Sequence, residues 1–64
     1  MLDVDIKCEL ALGLKVRETV TGVIGTITGI ADYLHEDTEY RIEWCDNSGF
    51  LNVRWLTAGR LQVI

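Results

Sequence analysis

Near its N-terminus the chain alternates apolar and polar side chains. Residues 2–10 read LDVDIKCEL, with apolar side chains at the even positions and charged side chains at the odd positions. A period of two is typical of a β-strand with one buried face, whereas a helix would spread these apolar residues around its circumference. We therefore predict an N-terminal strand over residues 2–10. One face of this strand is apolar and is expected to be buried against another surface. It consists of Leu2, Val4, Ile6, Cys8 and Leu10.

The rest of the chain repeats this alternation in shorter segments. Five strands are predicted over residues 14–17, 23–34, 40–44, 51–56 and 61–64. The turn signals between them are Thr21-Gly22, the polar residues 35–38, Asp46-Asn47-Ser48-Gly49 and Thr57-Ala58-Gly59. No segment sustains a helical period, so the pattern predicts an all-β protein with no helix longer than one turn.

Residues 21–30, TGVIGTITGI, contain three glycines among β-branched residues. A phosphate-binding loop would need G-x-G-x-x-G or a closing Gly-Lys-Ser/Thr at the start of a helix. Gly22, Gly25 and Gly29 fit neither spacing, and no helix is predicted to follow. We interpret Gly22 as a turn residue with a positive φ, and the other two as points where a strand bends or another backbone approaches. The closure of a small barrel requires such points.

The alternation also predicts a register for the third hairpin. If Asp46 pairs with Gly49, then Trp44 faces Leu51, Ile42 faces Val53, and Tyr40 faces Trp55 on one apolar face. The opposite face then carries Arg41, Glu43, Asn52 and Arg54. The residues expected to be largely buried are Val16, Ile27, Ile42, Val53, Trp55, Leu61 and Val63. On this basis Val53→Ala would cost about 1–3 kcal/mol.

Composition and charge narrow the function. The chain has 64 residues, of which 48% are apolar and none is proline, and its formal net charge is −4. This predicts one small folded domain and argues against a general binder of phosphate backbones, which carries a basic surplus. No apolar run approaches the roughly 20 residues that span a membrane, and the N-terminus lacks the basic region of a signal peptide. We expect a cytoplasmic protein.

Few residues are candidates for catalysis or metal binding. Cys8 and Cys45 lack metal-ligand spacing, and with His35 they do not make up a four-ligand zinc site. Cys45 and His35 also lack a third group to orient them as a nucleophilic pair. The acidic cluster of residues 32–39 is expected to be a solvated loop. We therefore expect no catalytic residues, no metal and no cofactor.

The motif Gly22-x-x-Gly25-x-Ile27, following Val16-Arg17, resembles the G-x-x-G-x-V core of KOW-type and other SH3-like barrels. The later strands, the break at residues 57–59 and the final Leu61-Gln62-Val63 are similar to the strand order of that fold. The resemblance implies a small SH3-like barrel of five strands over residues 13–64. Residues 1–12 then form an additional N-terminal strand or arm.

Two families within that fold are more similar. Residues 12–64 resemble small uncharacterised proteins of tailed phages and prophages. The motifs that carry this resemblance are Leu12-Gly13-x-Lys15-Val16-Arg17, Val20-Thr21-Gly22-x-x-Gly25, Tyr33-Leu34, and Trp55-Leu56 before Leu61-Gln62-Val63. The other family is the type II plasmid dihydrofolate reductase, whose reactive strand reads Val-Gln-Ile-Tyr. Arg54 and Leu56 replace its glutamine and tyrosine, so a folate-reductase-like enzyme is the least favoured reading.

These observations favour a non-catalytic protein-interaction module of a phage or mobile element, acting on a host or virion protein in the host cytoplasm. The candidate partner-binding residues are Arg41, Glu43, Asn52, Arg54, Tyr33 and His35. We also expect a homo-oligomer formed through the apolar face of residues 2–10. A special case is an inhibitor that mimics nucleic acid with Asp32, Glu36, Asp37 and Glu39. The alternative is a nucleic-acid or nucleotide binder that uses Arg17, Arg41, Arg54 and Arg60 with Tyr33 or Trp44.

Overall fold

A computed structural model describes residues 10–64, which form one antiparallel sheet of five strands. The strands are β1 (Lys15–Glu18), β2 (Ile24–Ala31), β3 (Glu39–Cys45), β4 (Leu51–Thr57) and β5 (Leu61–Val63). Their order across the sheet is β4-β3-β2-β1-β5. The predicted strand over residues 2–10 lies outside the described residues, apart from Leu10.

The five predicted strands and the all-β class are confirmed. The helical content of residues 10–64 is one 3₁₀ turn at Ala58–Arg60, at the predicted break before the last strand. Gly22 adopts a φ of +79° at the predicted turn. Strands β4 and β5 are the two ends of the sheet and do not pair with each other in the described part of the chain, so the sheet is not closed.

The core lies on one face of the sheet, which we call the core face. Val16, Ile27 and Ile42 are each at most 2% exposed, as predicted. Half-buried apolar residues pack around them: Leu10, Leu14, Tyr40, Trp44, Leu56 and Leu61. The prediction that Val53, Trp55 and Val63 are buried is wrong. Their exposed fractions are 47%, 43% and 46%.

The predicted register of the β3–β4 hairpin is wrong by one residue. Ile42 pairs with Arg54, and Trp44 pairs with Asn52. Because side chains alternate between faces, this shift moves every β4 residue to the opposite side of the sheet from the one predicted. Arg54 and Asn52 therefore share the core face with Ile42, while Val53 shares the other face with Glu43.

The loop between β3 and β4 explains the shift. The N–H of Gly49 donates to the carbonyl of Asp46 (3.0 Å), and the N–H of Asp46 donates to the carbonyl of Phe50 (3.0 Å). Gly49 has a φ of +86°. This is a turn followed by a left-handed residue, which inserts one residue more than a two-residue hairpin and pairs Asp46 with Phe50. The Asp46 carboxylate stabilises the loop by accepting from the N–H groups of Ser48 and Phe50.

The architectural reading of the glycines agrees with the structure. A Cβ on Gly25 would lie 2.6 Å from Cγ2 of Ile42 and 2.7 Å from the carbonyl oxygen of Glu43, so β3 approaches β2 more closely than a side chain allows. The β2–β3 register shifts between Ile27 and Gly29, where a bulge bends the strand. Both features curve the sheet around the core.

Candidate protein-binding surface

An exposed row of large apolar side chains follows strand β4 on the face opposite the core. It consists of Leu51, Val53 and Trp55, which we call the β4 apolar row. Their exposed fractions are 62%, 47% and 43%. The row exists because the alternation of β4 is combined with the register that places Arg54 beside Ile42. Contiguous exposed apolar side chains on a small protein are typical of a contact surface.

Hydrogen bonds hold the neighbouring side chain of Arg41 beside this row. Nε of Arg41 donates to Oγ1 of Thr28 (3.1 Å), and Nη2 donates to the Thr28 carbonyl (2.8 Å). The Thr28 hydroxyl donates to Oε2 of Glu43 (2.8 Å), which also lies 3.5 Å from Nε of Arg41. The guanidinium carbon of Arg41 is 5.9 Å from the ring centroid of Trp55. This cation–π contact orients the indole ring while leaving much of it exposed.

Strand β4 is also an edge of the sheet. It pairs with β3 on one side, and no strand within residues 10–64 pairs with its other side. An edge strand presents unpaired backbone N–H and C=O groups, to which another chain can add a strand. The β4 apolar row and this edge thus offer apolar and hydrogen-bonding contacts in one place.

The core face carries a pocket of about 110 Å³. Its walls are formed by Glu18, Thr21, Val23, Ile42, Trp44, Arg54, Leu56 and Arg60. Residues from β1 and from the 3₁₀ turn therefore line the same pocket as residues from β4. The curvature of the sheet brings these elements together over the core.

Glu18 is the one buried charged residue among residues 10–64, at 6% exposure. Its Oε2 accepts from Nε of Arg60 (2.5 Å), and its Oε1 accepts from the backbone N–H (2.6 Å) and hydroxyl (2.7 Å) of Thr21. The N–H of Val20 also donates to Oε1, at 3.1 Å. These hydrogen bonds lower the pKa of Glu18 to about 2, and the bond from Arg60 has the largest effect. The carboxylate therefore links β1 to the 3₁₀ turn and is not suited to act as a general acid near neutral pH.

The six predicted partner-binding residues do not lie together. Arg41 and Glu43 lie beside the β4 apolar row, whereas Asn52 and Arg54 lie on the core face. Nδ2 of Asn52 donates to Oδ2 of Asp46 (3.1 Å), and Arg54 lines the pocket.

The other two, Tyr33 and His35, are exposed in the loop between β2 and β3. The hydroxyl of Tyr33 donates to Oε1 of Glu39 at 3.4 Å. Partial desolvation, and then the charge of Glu39, raise the pKa of Tyr33. Neither side chain is part of the surface around β4.

The four arginines of the nucleic-acid alternative are divided between the two faces. Arg17 and Arg41 lie opposite the core, whereas Arg54 and Arg60 line the pocket. Arg17 donates from Nη2 to Oε1 of Gln62 (2.6 Å), and Arg60 is bound by Glu18. The described structure therefore does not place these arginines in one basic patch.

The described part of the chain contains neither a metal-binding cluster nor a membrane-spanning helix. Among residues 10–64, no group of three or more His, Cys, Asp and Glu side chains could hold a metal ion. No helix in that range is long and apolar enough to cross a membrane.

Sequence reasoning missed the β4 apolar row because it assigned these residues to the core. The signal that could have found the row is the loop itself. A glycine at the fourth position of a turn, as in Asp46-Asn47-Ser48-Gly49, is typical of a three-residue hairpin loop with a bulge. That loop changes the register by one residue.

Comparisons of the chain with protein families, with curated proteins and with solved structures found no match.

Proposed function

We propose that this protein is a non-catalytic protein-interaction module that binds its partner through the β4 apolar row. The observation that carries this proposal is the exposure of Leu51, Val53 and Trp55 side by side on an edge strand. Burial of such a row against a partner removes apolar surface from water. The free edge of β4 also presents backbone N–H and C=O groups with which a second chain can pair.

Trp55 is the anchor of the proposed surface. Tryptophan and arginine are enriched among the residues that contribute most to protein–protein binding. Here the Arg41 guanidinium lies over the Trp55 ring and is itself held by Thr28 and Glu43. The ring therefore loses little freedom when a partner covers it, which favours binding.

The broader assignment is an accessory protein of a phage or mobile element, with an SH3-like barrel fold and a host or virion protein as partner in the host cytoplasm. The strand order β4-β3-β2-β1-β5 and the 3₁₀ turn before β5 support that fold. Self-association through residues 2–10 stays a prediction, since these residues lie outside the described ones except for Leu10. Leu10 packs against the core cluster of its own chain.

The proposal is tested by capture from a bacterial lysate with three forms of the full chain: wild type, Val53→Asp and Leu34→Asp. Leu34 is 89% exposed in the β2–β3 loop, so its variant adds the same charge away from β4. We expect defined proteins to be retained by wild type and Leu34→Asp and lost with Val53→Asp. Equal retention by all three forms would contradict the proposal.

A salt titration with single-stranded oligonucleotides tests the nucleic-acid alternative. A binder that neutralises phosphates loses affinity steeply as salt rises. We expect no oligonucleotide binding at moderate salt, because the net charge is −4 and the arginines are divided between two faces. Salt-sensitive binding that persists in Val53→Asp would favour the alternative.

A further inference from the structure

We infer that two copies of the chain pair edge to edge through β4, antiparallel and centred on Val53, so that their sheets become continuous. This inference rests on the proposed function, because it uses the same strand and enlarges the same surface. It is carried by the direction of the β4 backbone groups, by a register that pairs apolar side chains with each other, and by charge complementarity across that register.

The backbone direction follows from the hairpin. Asp46 and Phe50 form a hydrogen-bonded pair, in which the N–H of Asp46 donates to the carbonyl of Phe50. In an antiparallel ladder, hydrogen-bonded and non-hydrogen-bonded pairs alternate. Leu51, Val53 and Trp55 therefore occupy the non-hydrogen-bonded pairs with β3. Their N–H and C=O groups are directed toward the outer edge of β4, on the same three residues whose side chains form the apolar row.

Two-fold symmetry limits the register. When two identical antiparallel strands pair in one sheet, one residue lies opposite itself, because residues opposite each other must share a face. A centre at Arg54 would place two guanidinium groups directly opposite, which is unfavourable. A centre at Asn52 would place Trp55 opposite Gly49, in the loop.

A centre at Val53 gives matched pairs on the face opposite the core. Val53 then lies opposite Val53 of the second copy, and Leu51 lies opposite Trp55 of the second copy, twice by symmetry. All of these residues direct their backbone groups outward, so each of these pairs exchanges its N–H and C=O groups across the interface. The pairs are apolar, and aromatic–aliphatic pairs of this kind stabilise antiparallel sheets.

The same register is complementary on the core face. Asn52 lies opposite Arg54 of the second copy, and the amide of Asn52 is bonded to the Asp46 carboxylate at 3.1 Å. The hydrogen bonds from Phe50 and Asn52 lower the pKa of Asp46, so this carboxylate is ionised at neutral pH. Each Arg54 is thereby directed toward an anionic group of the other copy. Phe50, which is 70% exposed, lies opposite the half-buried Leu56 of the second copy.

This pairing has a consequence for binding. It joins two β4 apolar rows into one surface across the symmetry axis, with Trp55 of each copy beside Leu51 of the other. The surface offered to a partner is then twice as wide as the row of a single chain, and it presents two tryptophan anchors.

The inference is tested with a backbone change in the 64-residue chain, which is short enough for chemical synthesis. N-methylation of Val53 removes a donor that is directed away from β3, so the β3–β4 ladder is kept. The control is N-methylation of Val63 on the opposite edge. The bonds from Thr19 to Arg60 and from Ile64 to Lys15 place Val63 in a non-hydrogen-bonded pair with Val16, so its N–H also points outward.

Sedimentation equilibrium measures the result. We expect wild type and the Val63 control to show the same monomer–dimer equilibrium. N-methylation of Val53 should raise the dimer dissociation constant by about tenfold or more, because two hydrogen bonds are lost at the symmetric centre. A wild-type chain that stays monomeric at several hundred micromolar would overturn the inference. So would a dimer that N-methylation of Val53 leaves unchanged, which would point to another interface such as residues 2–10.

Disulfide trapping tests the register independently. Asn52→Cys and Arg54→Cys are made separately, each with Cys8→Ser and Cys45→Ser, and are mixed in a glutathione redox buffer. In the Val53-centred register the two introduced cysteines lie opposite each other in a non-hydrogen-bonded pair, with Cα atoms about 4.5 Å apart. We expect the mixed disulfide to exceed both symmetric ones. A statistical mixture, or an excess of either symmetric disulfide, would overturn this register.

The two proposals fail in different ways. If the chain is monomeric but Val53→Asp still abolishes lysate capture, the pairing is wrong and the proposed function stands. If the dimer forms as described but Val53→Asp and Trp55→Ala leave capture unchanged, the proposed function is wrong and the pairing stands.

Discussion

Ile42 lies directly opposite Arg54 in the β3–β4 hairpin, and this pairing determines which side of β4 is exposed. Had Val53 lain opposite Ile42, the apolar side of β4 would have covered the core. Instead Arg54 lines a pocket beside the core, and Val53, Leu51 and Trp55 are exposed on the other face. The proposed binding surface is a direct consequence of this one-residue register.

The first prediction compares two β-branched residues of this hairpin, Ile42 on β3 and Val53 on β4. Ile42→Ala should lower the free energy of unfolding by about 2–5 kcal/mol, because Ile42 is 2% exposed and its truncation leaves a cavity. Val53→Ala should cost about 1 kcal/mol or less, since Val53 is 47% exposed. Urea unfolding followed by tryptophan fluorescence measures both.

The protein should be kept below micromolar concentration in these measurements, so that pairing through β4 does not contribute. A cost for Val53→Ala that equals the cost for Ile42→Ala would contradict the observed register. It would favour the register in which the two residues face each other.

The second prediction concerns the loop that sets the register. Gly49 has a φ of +86°, and an alanine there adopts a left-handed conformation at a cost of roughly 1–2 kcal/mol. Gly49→Ala should therefore destabilise the protein by about that amount. Gly59→Ala is the control, because Gly59 has no positive φ and no atom within 4 Å of an added Cβ. Thermal unfolding that shifts equally in both variants would refute this account of the loop.

Much of the fold could be predicted because apolar and polar side chains alternate with a clear period. The strands and the burial of Val16, Ile27 and Ile42 follow from that alternation, and the turn at Gly22 follows from the Thr21-Gly22 signal. The face of β4 could not be predicted in the same way. An alternating strand is equally regular in either register, and the choice depends on one left-handed residue in the loop.

The third prediction concerns the close approach of β3 to β2. An added Cβ on Gly25 would lie 2.6 Å from Ile42 and 2.7 Å from the Glu43 carbonyl, so one of the strands must move. Gly25→Ala should destabilise the protein by about 1–3 kcal/mol, despite the lower entropy of its unfolded chain.

Gly29→Ala is the comparison variant for that prediction, and it should cost less stability than Gly25→Ala. The nearest contact of its added Cβ is 3.1 Å, to the Cβ of the partly exposed Arg41, so its cost should be smaller. Urea unfolding of both variants measures which of them loses more free energy of unfolding. A Gly25→Ala variant as stable as wild type would mean that the two strands are not so closely spaced.

The ion pair between Glu18 and Arg60 is another feature that the sequence alone does not predict. The two residues are 42 positions apart, and neither belongs to a motif. Only the pairing of β1 with β5 brings the 3₁₀ turn next to the end of β1. The pocket that these residues line is likewise a product of sheet curvature, which alternation along single strands does not specify.

The last prediction is that the stability of the protein depends on pH because Glu18 titrates. Its pKa is lowered from 4.5 to about 2 by the bonds from Arg60 and Thr21. A group whose pKa is lower in the folded state contributes stability above its unfolded pKa and loses it as pH falls through the folded pKa. The melting temperature should therefore fall between about pH 5 and pH 2, and Glu18→Gln should be less stable at pH 6 with a flatter profile.

Asp37→Asn removes a carboxylate from the exposed β2–β3 loop and should keep the wild-type profile. Parallel profiles for Glu18→Gln and wild type would show that the carboxylate is not the acid-sensitive link between β1 and the 3₁₀ turn.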